Sequence, residues 1–445
     1  MTKGVSSPPV AGAPSLRLAV DARVSELGPA ARALLLERRP SDEARVRESV
    51  RTILTRVRTE GDAALLQMAR ELDGVELRSL EVPSARWEAA RRSLDPSLLA
   101  ALERAARNIR AFHEAQIPDE LVLEIEPGVR LGRRFVPLRA VGVYAPGGRA
   151  AYPSSVLMGV VPARAAGVEN IVVCSPPGTS GEPPPHVLAA CAIAGASRLL
   201  AIGGAGAIGA LAYGTASLPR VDAIVGPGNR WVTEAKRQVA GELRIDALAG
   251  PSEVLVVADG SADPERVAAE LVAQAEHDPD ASAAVVSWSA KLLEEVRTAL
   301  GAQVAAAGRK EIVEAALATR GAILLAGDRS EALGFAEAYA AEHLALFTDD
   351  PARDLETQST AGTVFLGDAS SVAFGDYVTG ANHVLPTGGR ARSFSGLSVL
   401  DFGRVFNWQE VSEEGAAALS DDVVRMAEAE GLPAHAAAVR ARAQP

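Results

Sequence analysis

The sequence lacks the features that mark secreted, membrane or nucleic-acid-binding proteins. Only two of its 445 residues are cysteines, Cys174 and Cys191, and two thiols can build neither a disulfide framework nor a thiolate zinc site. No apolar run reaches the roughly 18 residues of a membrane-spanning helix, and the N-terminus lacks the apolar stretch of a signal peptide. A net charge of −11 argues against a nucleic acid or an anionic membrane as the main partner. We therefore expect a protein of a reducing compartment, the cytoplasm.

Short apolar runs alternate with helical stretches from residue 139 onward. Residues 140–144 and 170–174 have the composition of buried strands, and apolar residues with helical spacing follow each of them. This alternation predicts an α/β fold: two doubly wound, Rossmann-like parallel-sheet domains with small helical N- and C-terminal segments. Ligands of such sheets bind beyond the carboxyl ends of the strands, which here are the loops 145–148, 203–204 and 226–229.

The length of 445 residues predicts two to four domains, and the order of the elements suggests their bounds. Residues 1–15 are rich in proline, glycine and serine, and we expect them to be disordered. The expected bounds are 1–39 for an N-terminal segment, 40–143 plus 254–397 for a first α/β domain, 144–253 for a second α/β domain, and 398–445 for a C-terminal tail of one or two helices.

Imidazole chemistry is limited to six histidines, of which one has a helical partner. They are His113, His186, His277, His343, His383 and His435. His277 follows Gln274 by three residues, so both side chains share a helix face, where an amide oxygen and an imidazole nitrogen can bind a divalent metal. The alternative is an ordinary polar helix end before Asp278.

Two further groups of polar residues allow both a functional and an ordinary interpretation. The adjacent Glu342 and His343 can supply two bases of different pKa to one pocket, or can simply end a surface helix. The segment from Gly375 to His383 holds Asp376 and reads equally well as a loop shaped around a ligand or as a turn. The C-terminal Glu430 and His435 alone favour a frayed amphipathic tail.

One motif has a chance explanation. Residues Gly204 to Gly209 match the G-x-G-x-x-G pattern of dinucleotide sites, with Asp222 at a suitable distance for a ribose contact. This turn is not the first βα turn of the series, however, and the region is rich in alanine and glycine. The match is therefore weak support for dinucleotide binding, and Cys174 and Cys191 in the same region fit buried core thiols.

Taken together, these segments resemble the histidinol dehydrogenase family. The resemblance is specific because several of the matching strings are long and unusual, and they occur in the same order. They are VGVYAPGGRAAYPSSVLM at 141–158, GPGNRWVTEAKRQV at 226–239, AGPSEVLVVAD at 249–259, QAEHDPD at 274–280, AEHLALF at 341–347, GDYVTGANHVLPT at 375–387, SGLSVLDF at 395–402 and EGLPAH at 430–435.

The resemblance implies oxidation of L-histidinol to L-histidine in two steps, with Zn2+ and NAD+ as cofactors and two NAD+ consumed. It implies that Glu342 and His343 are the catalytic pair and that the tail is exchanged between the subunits of a homodimer with shared active sites. The implied zinc ligands are Gln274, His277, Asp376 and His435, the last from the partner subunit. The implied substrate contacts are these four residues with Ser252, His343, His383 and Glu430. The implied NAD contacts are Tyr144, Gly206 and Asn229.

The chain departs from the family pattern at three places. Gly206 stands where the family commonly has a glutamine that contacts NAD, which puts that contact in doubt. Ala341 stands where a proline usually precedes the Glu-His pair, so the backbone is less constrained there. The pair Ala247 and Leu248 also differs from the usual one. None of these changes removes an implied ligand or catalytic side chain.

Three other functions remain open from the sequence. A related zinc and NAD dehydrogenase of another small polar alcohol would keep the same fold and the catalytic pair. A metallohydrolase would use Glu342 with the metal, although the nucleotide-type loops argue against it. A non-catalytic scaffold would be expected to have lost Glu342, His343 or a ligand, and none is lost.

Overall fold

A computed structural model describes residues 16–38, 44–147 and 152–442. The expected disorder of residues 1–15 and the end of the predicted loop 145–148 lie outside these ranges. Among the described residues there are fourteen strands: β1 (Val20–Arg23), β2 (Leu121–Glu126), β3 (Val129–Pro137), β4 (Ala140–Tyr144), β5 (Asn170–Ser175), β6 (Arg198–Ala201), β7 (Ala223–Val225), β8 (Arg244–Ile245), β9 (Glu253–Ala258), β10 (Ser282–Ser287), β11 (Ala322–Leu325), β12 (His343–Phe347), β13 (Thr363–Leu366) and β14 (Gly403–Val411).

Helices follow most of the parallel strands and cover both faces of their sheets. Within the described ranges the α-helices are α1 (Pro29–Leu36), α2 (Ala44–Glu60), α3 (Asp62–Met68), α4 (Ser84–Ser93), α5 (Pro96–Glu114), α6 (Pro153–Ala165), α7 (Pro185–Ala194), α8 (Gly204–Tyr213), α9 (Arg230–Val239), α10 (Pro264–Ala275), α11 (Ala290–Ala306), α12 (Lys310–Arg320), α13 (Arg329–Tyr339), α14 (Pro351–Leu355), α15 (Val372–Tyr377), α16 (Glu413–Ala429) and α17 (Pro433–Arg440). Of these, none is long and apolar enough to cross a membrane.

Two parallel sheets form the centre of the molecule and confirm the predicted α/β fold. The first has six strands in the order β1-β11-β10-β9-β12-β13, and the second has five in the order β6-β5-β4-β7-β8. From β4 in the second sheet and from β9 in the first, the chain builds outward in one direction and then crosses to the other side of that strand, while β1 adds to the edge of the first sheet. The inner strands are mostly apolar because both of their faces are buried, and every residue of β9 and β10 is buried.

A third, antiparallel sheet was not predicted. Its order is β14-β3-β2, and it joins residues 129–137 to residues 403–411. All six residues of β2 are exposed and β14 is mostly exposed, so neither has the buried apolar pattern that identified the other strands. The tail over 398–445 therefore contains a strand as well as the expected helices. This strand could not be predicted from the tail alone, because its partner strand lies far away in the sequence.

The domain bounds stay a prediction, and three observations of the sheets and cores bear on where the segments belong. Strand β4, which the bound at 143/144 would cut, lies wholly in the five-stranded sheet between β5 and β7. Residues of α2 such as Val50 and Leu54 pack in one core with Ile208 and Leu211 of α8, so this part of 40–143 also belongs with the second sheet. The segment 1–39 supplies β1, an edge strand of the first sheet, because Val20 pairs with Ala322.

Candidate active site

Glu342 and His343 lie at the amino end of β12, which pairs with β9 and β13 in the first sheet. Helix α13 ends at Tyr339, and Ala340 then takes the left-handed conformation with φ of 53°, which turns the chain directly into the strand. A non-glycine residue in this conformation costs about 1–2 kcal/mol, so the surrounding packing must hold it. The turn leaves both side chains buried, with 5% of Glu342 and 4% of His343 exposed.

The main chain of Glu253 binds both of these side chains. Glu253 begins β9, which pairs with β12. Its backbone N–H donates to Oε2 of Glu342 at 2.7 Å, and its carbonyl oxygen lies 3.0 Å from Nδ1 of His343. Because a carbonyl only accepts, Nδ1 must carry the hydrogen, and in neutral His343 the lone pair is then on Nε2. That atom is buried and lies 3.6 Å from Oδ1 of Asp376.

Burial and mutual charge shift the pKa values of Glu342 and His343. Burial raises the pKa of Glu342 to about 8, although the nearby His343 opposes this shift. Burial alone would lower the pKa of His343, but the carboxylates of Glu342 and Asp376 outweigh it and raise this pKa to about 9. Nδ1 of His343 lies 3.6 Å from Oε2 of Glu342, so the two side chains titrate as a pair.

A second cluster borders the pair where helices α10 and α15 meet. Gln274 and His277 come from the end of α10 and Asp376 from α15, and together they line a small cavity. The Nε2 atom of Gln274 is buried and has no hydrogen-bond partner among the described residues. Rotating the amide would present its oxygen at the same place, so this end of Gln274 is free to bind a ligand.

Three imidazoles lie near Asp376. His343 and His277 face it, and Nδ1 of His383 lies 3.0 Å from the Asp376 carbonyl oxygen. Burial lowers the pKa of both His277 and His383, and the opposing effect of Asp376 is smaller. Neutral imidazole is the form that binds a metal ion or accepts a proton. Ser252, directly before Glu253, lies at the same edge of the sheet.

Glu430 and His435 do not join this cluster within one chain. Both are exposed and lie at the junction of α16 and α17, beyond the antiparallel sheet. In the part of the chain that the structure describes, no three histidine, cysteine, aspartate or glutamate side chains are placed to hold a metal ion. The described residues thus bring Gln274, His277 and Asp376 together without Glu430 and His435.

The three residues implied in NAD binding lie on the second sheet, and they differ in how they fit that role. Tyr144 ends β4, and its hydroxyl accepts a hydrogen bond of 3.1 Å from the backbone N–H of Gly204, at the start of α8. Asn229 caps α9 and is exposed. Gly206 is buried within α8, and a Cβ atom there would lie 3.2 Å from the sulfur of Met68. Its lack of a side chain thus serves the packing of α3 on α8.

Two residues that lie next to Glu342 and His343 were not predicted from the sequence. Glu253 is the only charged residue in the apolar run that forms β9, and a buried charge in such a run needs a partner. That signal was present in the string AGPSEVLVVAD. The partner is Arg38, whose Nε lies 2.8 Å from Oε1 of Glu253, and nothing near Arg38 in the sequence indicates this contact.

Comparison with known proteins identifies the family. A family model described as histidinol dehydrogenase matches residues 36–443. The chain belongs to the histidinol dehydrogenase family. It is 50% identical to the histidinol dehydrogenase of Haloarcula marismortui over 94% of this chain and 98% of that protein. It is 51% identical to the histidinol dehydrogenase of Natronomonas pharaonis, with the same coverage.

A solved structure agrees with this assignment. The fold matches the crystal structure of histidinol dehydrogenase from Elizabethkingia anophelis with a TM-score of 0.91 and 34% identity, over 96% of this chain and 98% of that one. Membership of the histidinol dehydrogenase family makes the chain an oxidoreductase that acts on histidinol. It also confirms the family that the sequence motifs indicated.

Proposed function

We propose that the chain oxidises L-histidinol to L-histidine through L-histidinaldehyde and transfers two hydrides to two NAD+. The observation that carries the proposal is the buried Glu342–His343 pair beside the Gln274, His277 and Asp376 cluster. The pair offers two bases, and the cluster offers an amide, an imidazole and a carboxylate that suit Zn2+.

In the first oxidation, Nε2 of His343 accepts the hydroxyl proton while hydride leaves the substrate carbon for NAD+. In its ionised form Glu342 then takes a proton from the water that adds to the aldehyde, and His343 assists the second hydride transfer. His383 and Ser252 lie close enough to this edge to contact the substrate. The NAD+ is expected at the carboxyl edge of the second sheet, against Tyr144 and Asn229.

The residues present fit a zinc ion. The unpaired amide of Gln274 and the neutral His277 beside Asp376 form an incomplete ligand set of suitable chemistry. We propose that Gln274, His277, Asp376 and the partner subunit's His435 hold one Zn2+ per subunit, which when bound positions the imidazole and amino nitrogens of the substrate.

We propose a homodimer in which the tail, 398–445, reaches the partner's site and supplies Glu430 and His435. Three observations support it. The described residues of one chain form no metal-binding group of three histidine, cysteine, aspartate or glutamate side chains. His435 is exposed, and β2 leaves Leu121, Leu123 and Ile125 more than half exposed on an unpaired edge. The acidic chain, with Cys174 and Cys191 buried as free thiols, fits the expected cytoplasm.

Purified, zinc-loaded protein should form NADH from L-histidinol, and the product should be histidine. Two NADH per histidine would support both oxidations. One NADH per histidinol, with release of the aldehyde, would mean that the chain does not carry out the second oxidation. No turnover by a metal-loaded dimer would favour the alternative, a related zinc and NAD dehydrogenase of another small polar alcohol, to be tested on a panel of polyols.

A further inference from the structure

A buried ion pair lies directly behind the catalytic pair. Arg38 binds both carboxylate oxygens of Glu253, at 2.8 Å through Nε and 3.0 Å through a terminal nitrogen. The side chains are nearly inaccessible, with 1% of Arg38 and 4% of Glu253 exposed. Neither group has a place in the reaction described above. Removing two charges from water is costly, so a pair at this depth calls for an explanation beyond stability.

Arg38 is held on several sides besides its bond to Glu253. Its guanidinium lies 3.5 Å from the centre of the Tyr339 ring and donates to the carbonyl oxygens of Tyr339 and Leu35. A planar guanidinium with two parallel bonds fixes a carboxylate in direction as well as in position. The backbone N–H of Gly388 adds a third donor to Glu253, at 3.0 Å from Oε1.

The fixed residue is also the one that holds the catalytic side chains. The backbone N–H of Glu253 binds Glu342, and its carbonyl binds Nδ1 of His343. One peptide-backbone position thus sets the direction of the Glu342 carboxylate and the tautomer of His343. A displacement of about 1 Å at a reacting group can cost 100-fold in rate. The position of Glu253 therefore matters for the rate.

We infer that Glu253 and Arg38 are positioning residues for the reaction, and that their ion pair keeps the main chain of Glu253 where it can hold Glu342 and His343. The inference rests on the proposed roles of this catalytic pair. Neither residue needs to touch substrate or cofactor. The pair links the N-terminal segment, α13 and the loop at Gly388 to the start of β9.

Arg38→Met, Arg38→Lys and the double variant Arg38→Met with Glu253→Gln test the inference. Arg38→Met should lower kcat about 10- to 100-fold while KM for histidinol changes little, since substrate contacts remain. Lysine keeps the charge but loses the two parallel bonds, so kcat should lie between those of the wild type and Arg38→Met. In the double variant the buried unpaired carboxylate is gone, so thermal stability should recover while kcat stays low.

Asp354→Asn is the matched control. Asp354 is 1% exposed and forms a bidentate pair with Arg329 near the opposite, carboxyl edge of the same sheet. This variant should lose stability but keep the wild-type kcat per folded subunit. If kcat recovered together with stability in the double Arg38 and Glu253 variant, the pair would be merely structural and the inference would be wrong.

A crystal structure of Arg38→Met separates this inference from the proposed function. Unchanged distances from the main chain of Glu253 to Glu342 and His343, 2.7 and 3.0 Å here, would overturn the positioning role. Longer distances would support it even without a turnover assay. Failure of the wild type to form NADH from histidinol would instead overturn the proposed function.

Discussion

The two parallel sheets wind in the same way, but their proposed functional residues lie at opposite edges, the carboxyl edge in one sheet and the amino edge in the other. In the five-stranded sheet, the loops after β4 and β7 meet at the carboxyl edge, where open doubly wound sheets usually bind ligands. In the six-stranded sheet the corresponding place between β9 and β12 is filled by the chain itself, since Asp259 accepts a hydrogen bond of 2.9 Å from the Asp349 backbone. Glu342 and His343, the proposed catalytic pair, lie at the opposite, amino edge of that sheet.

A short segment connects these two unlike edges. Strand β8 ends at Ile245 and β9 begins at Glu253, so residues 246–252 lead from the carboxyl edge of one sheet to the amino edge of the other. At about 3.3–3.6 Å per residue, such a segment spans at most roughly 25 Å. It is fixed along the way, because Thr233 donates to the carbonyl of Ala249 and Gly250 donates to Thr387.

The largest expected effect comes from replacing His343, the proposed general base at the amino edge of the first sheet. His343→Asn should lower both oxidations by about a thousandfold or more, because an asparagine amide cannot take up the hydroxyl proton that Nε2 of His343 is proposed to accept. NADH formation from histidinol and from histidinaldehyde should be measured separately. Retention of either activity above about a tenth of the wild type would contradict the assigned role.

Glu342→Gln separates the two oxidations at the same edge. The amide cannot deprotonate water, so aldehyde oxidation should fall about a hundredfold, with a smaller effect on alcohol oxidation. Aldehyde accumulation during turnover of histidinol is the diagnostic measurement. Equal loss in both steps would mean that Glu342 acts mainly on His343 and not on the water.

Mixed dimers test whether the amino edge is completed by the partner's tail. In a heterodimer of His435→Ala and Glu342→Gln subunits, both lesions fall in one shared site and the other site is intact. Such heterodimers should regain about half of the wild-type activity. Purified heterodimers with no more activity than the two parent variants would argue against shared sites.

The pH dependence should reflect the raised pKa values of the pair. Both roles need the deprotonated form, and pKa values of about 8 for Glu342 and 9 for His343 keep that form scarce near neutrality. Activity should therefore rise with pH up to about 9 and fall as pH decreases. A profile already flat from pH 6 would show that the shifts do not persist in the loaded enzyme.

The smallest expected effect comes from alanine substitutions of two helix caps, one at the carboxyl edge of each sheet. Asn229 caps α9 beside the proposed NAD site, and Ser289 caps α11 beyond β10 of the first sheet. Replacing either by alanine should cost about 1 kcal/mol of stability. Only Asn229→Ala should also raise KM for NAD+. An equal change in KM for NAD+ in both variants would show that Asn229 does not contact the cofactor.

Local pattern made most of the parallel elements predictable. The predicted strand 140–144 matches β4, and α10 begins at Pro264 with Asp263 as its cap, which are residue types that favour these positions. These elements are recognisable because burial on both faces makes their strands continuously apolar, and because capping depends on neighbouring residues. The sheet of β2, β3 and β14 has neither property and could not be recognised in the same way.

The sequence by itself determined the α/β fold, the family, and the residues available for catalysis and metal binding, because local patterns and long motifs carry that information. Only the tertiary structure decided that Glu342 and His343 lie at an amino edge, that Glu253 holds both, and that Arg38 fixes Glu253 from more than two hundred residues away. Contacts of this kind depend on which strands become neighbours, and strand order is set by the packing of the whole chain rather than by any one segment.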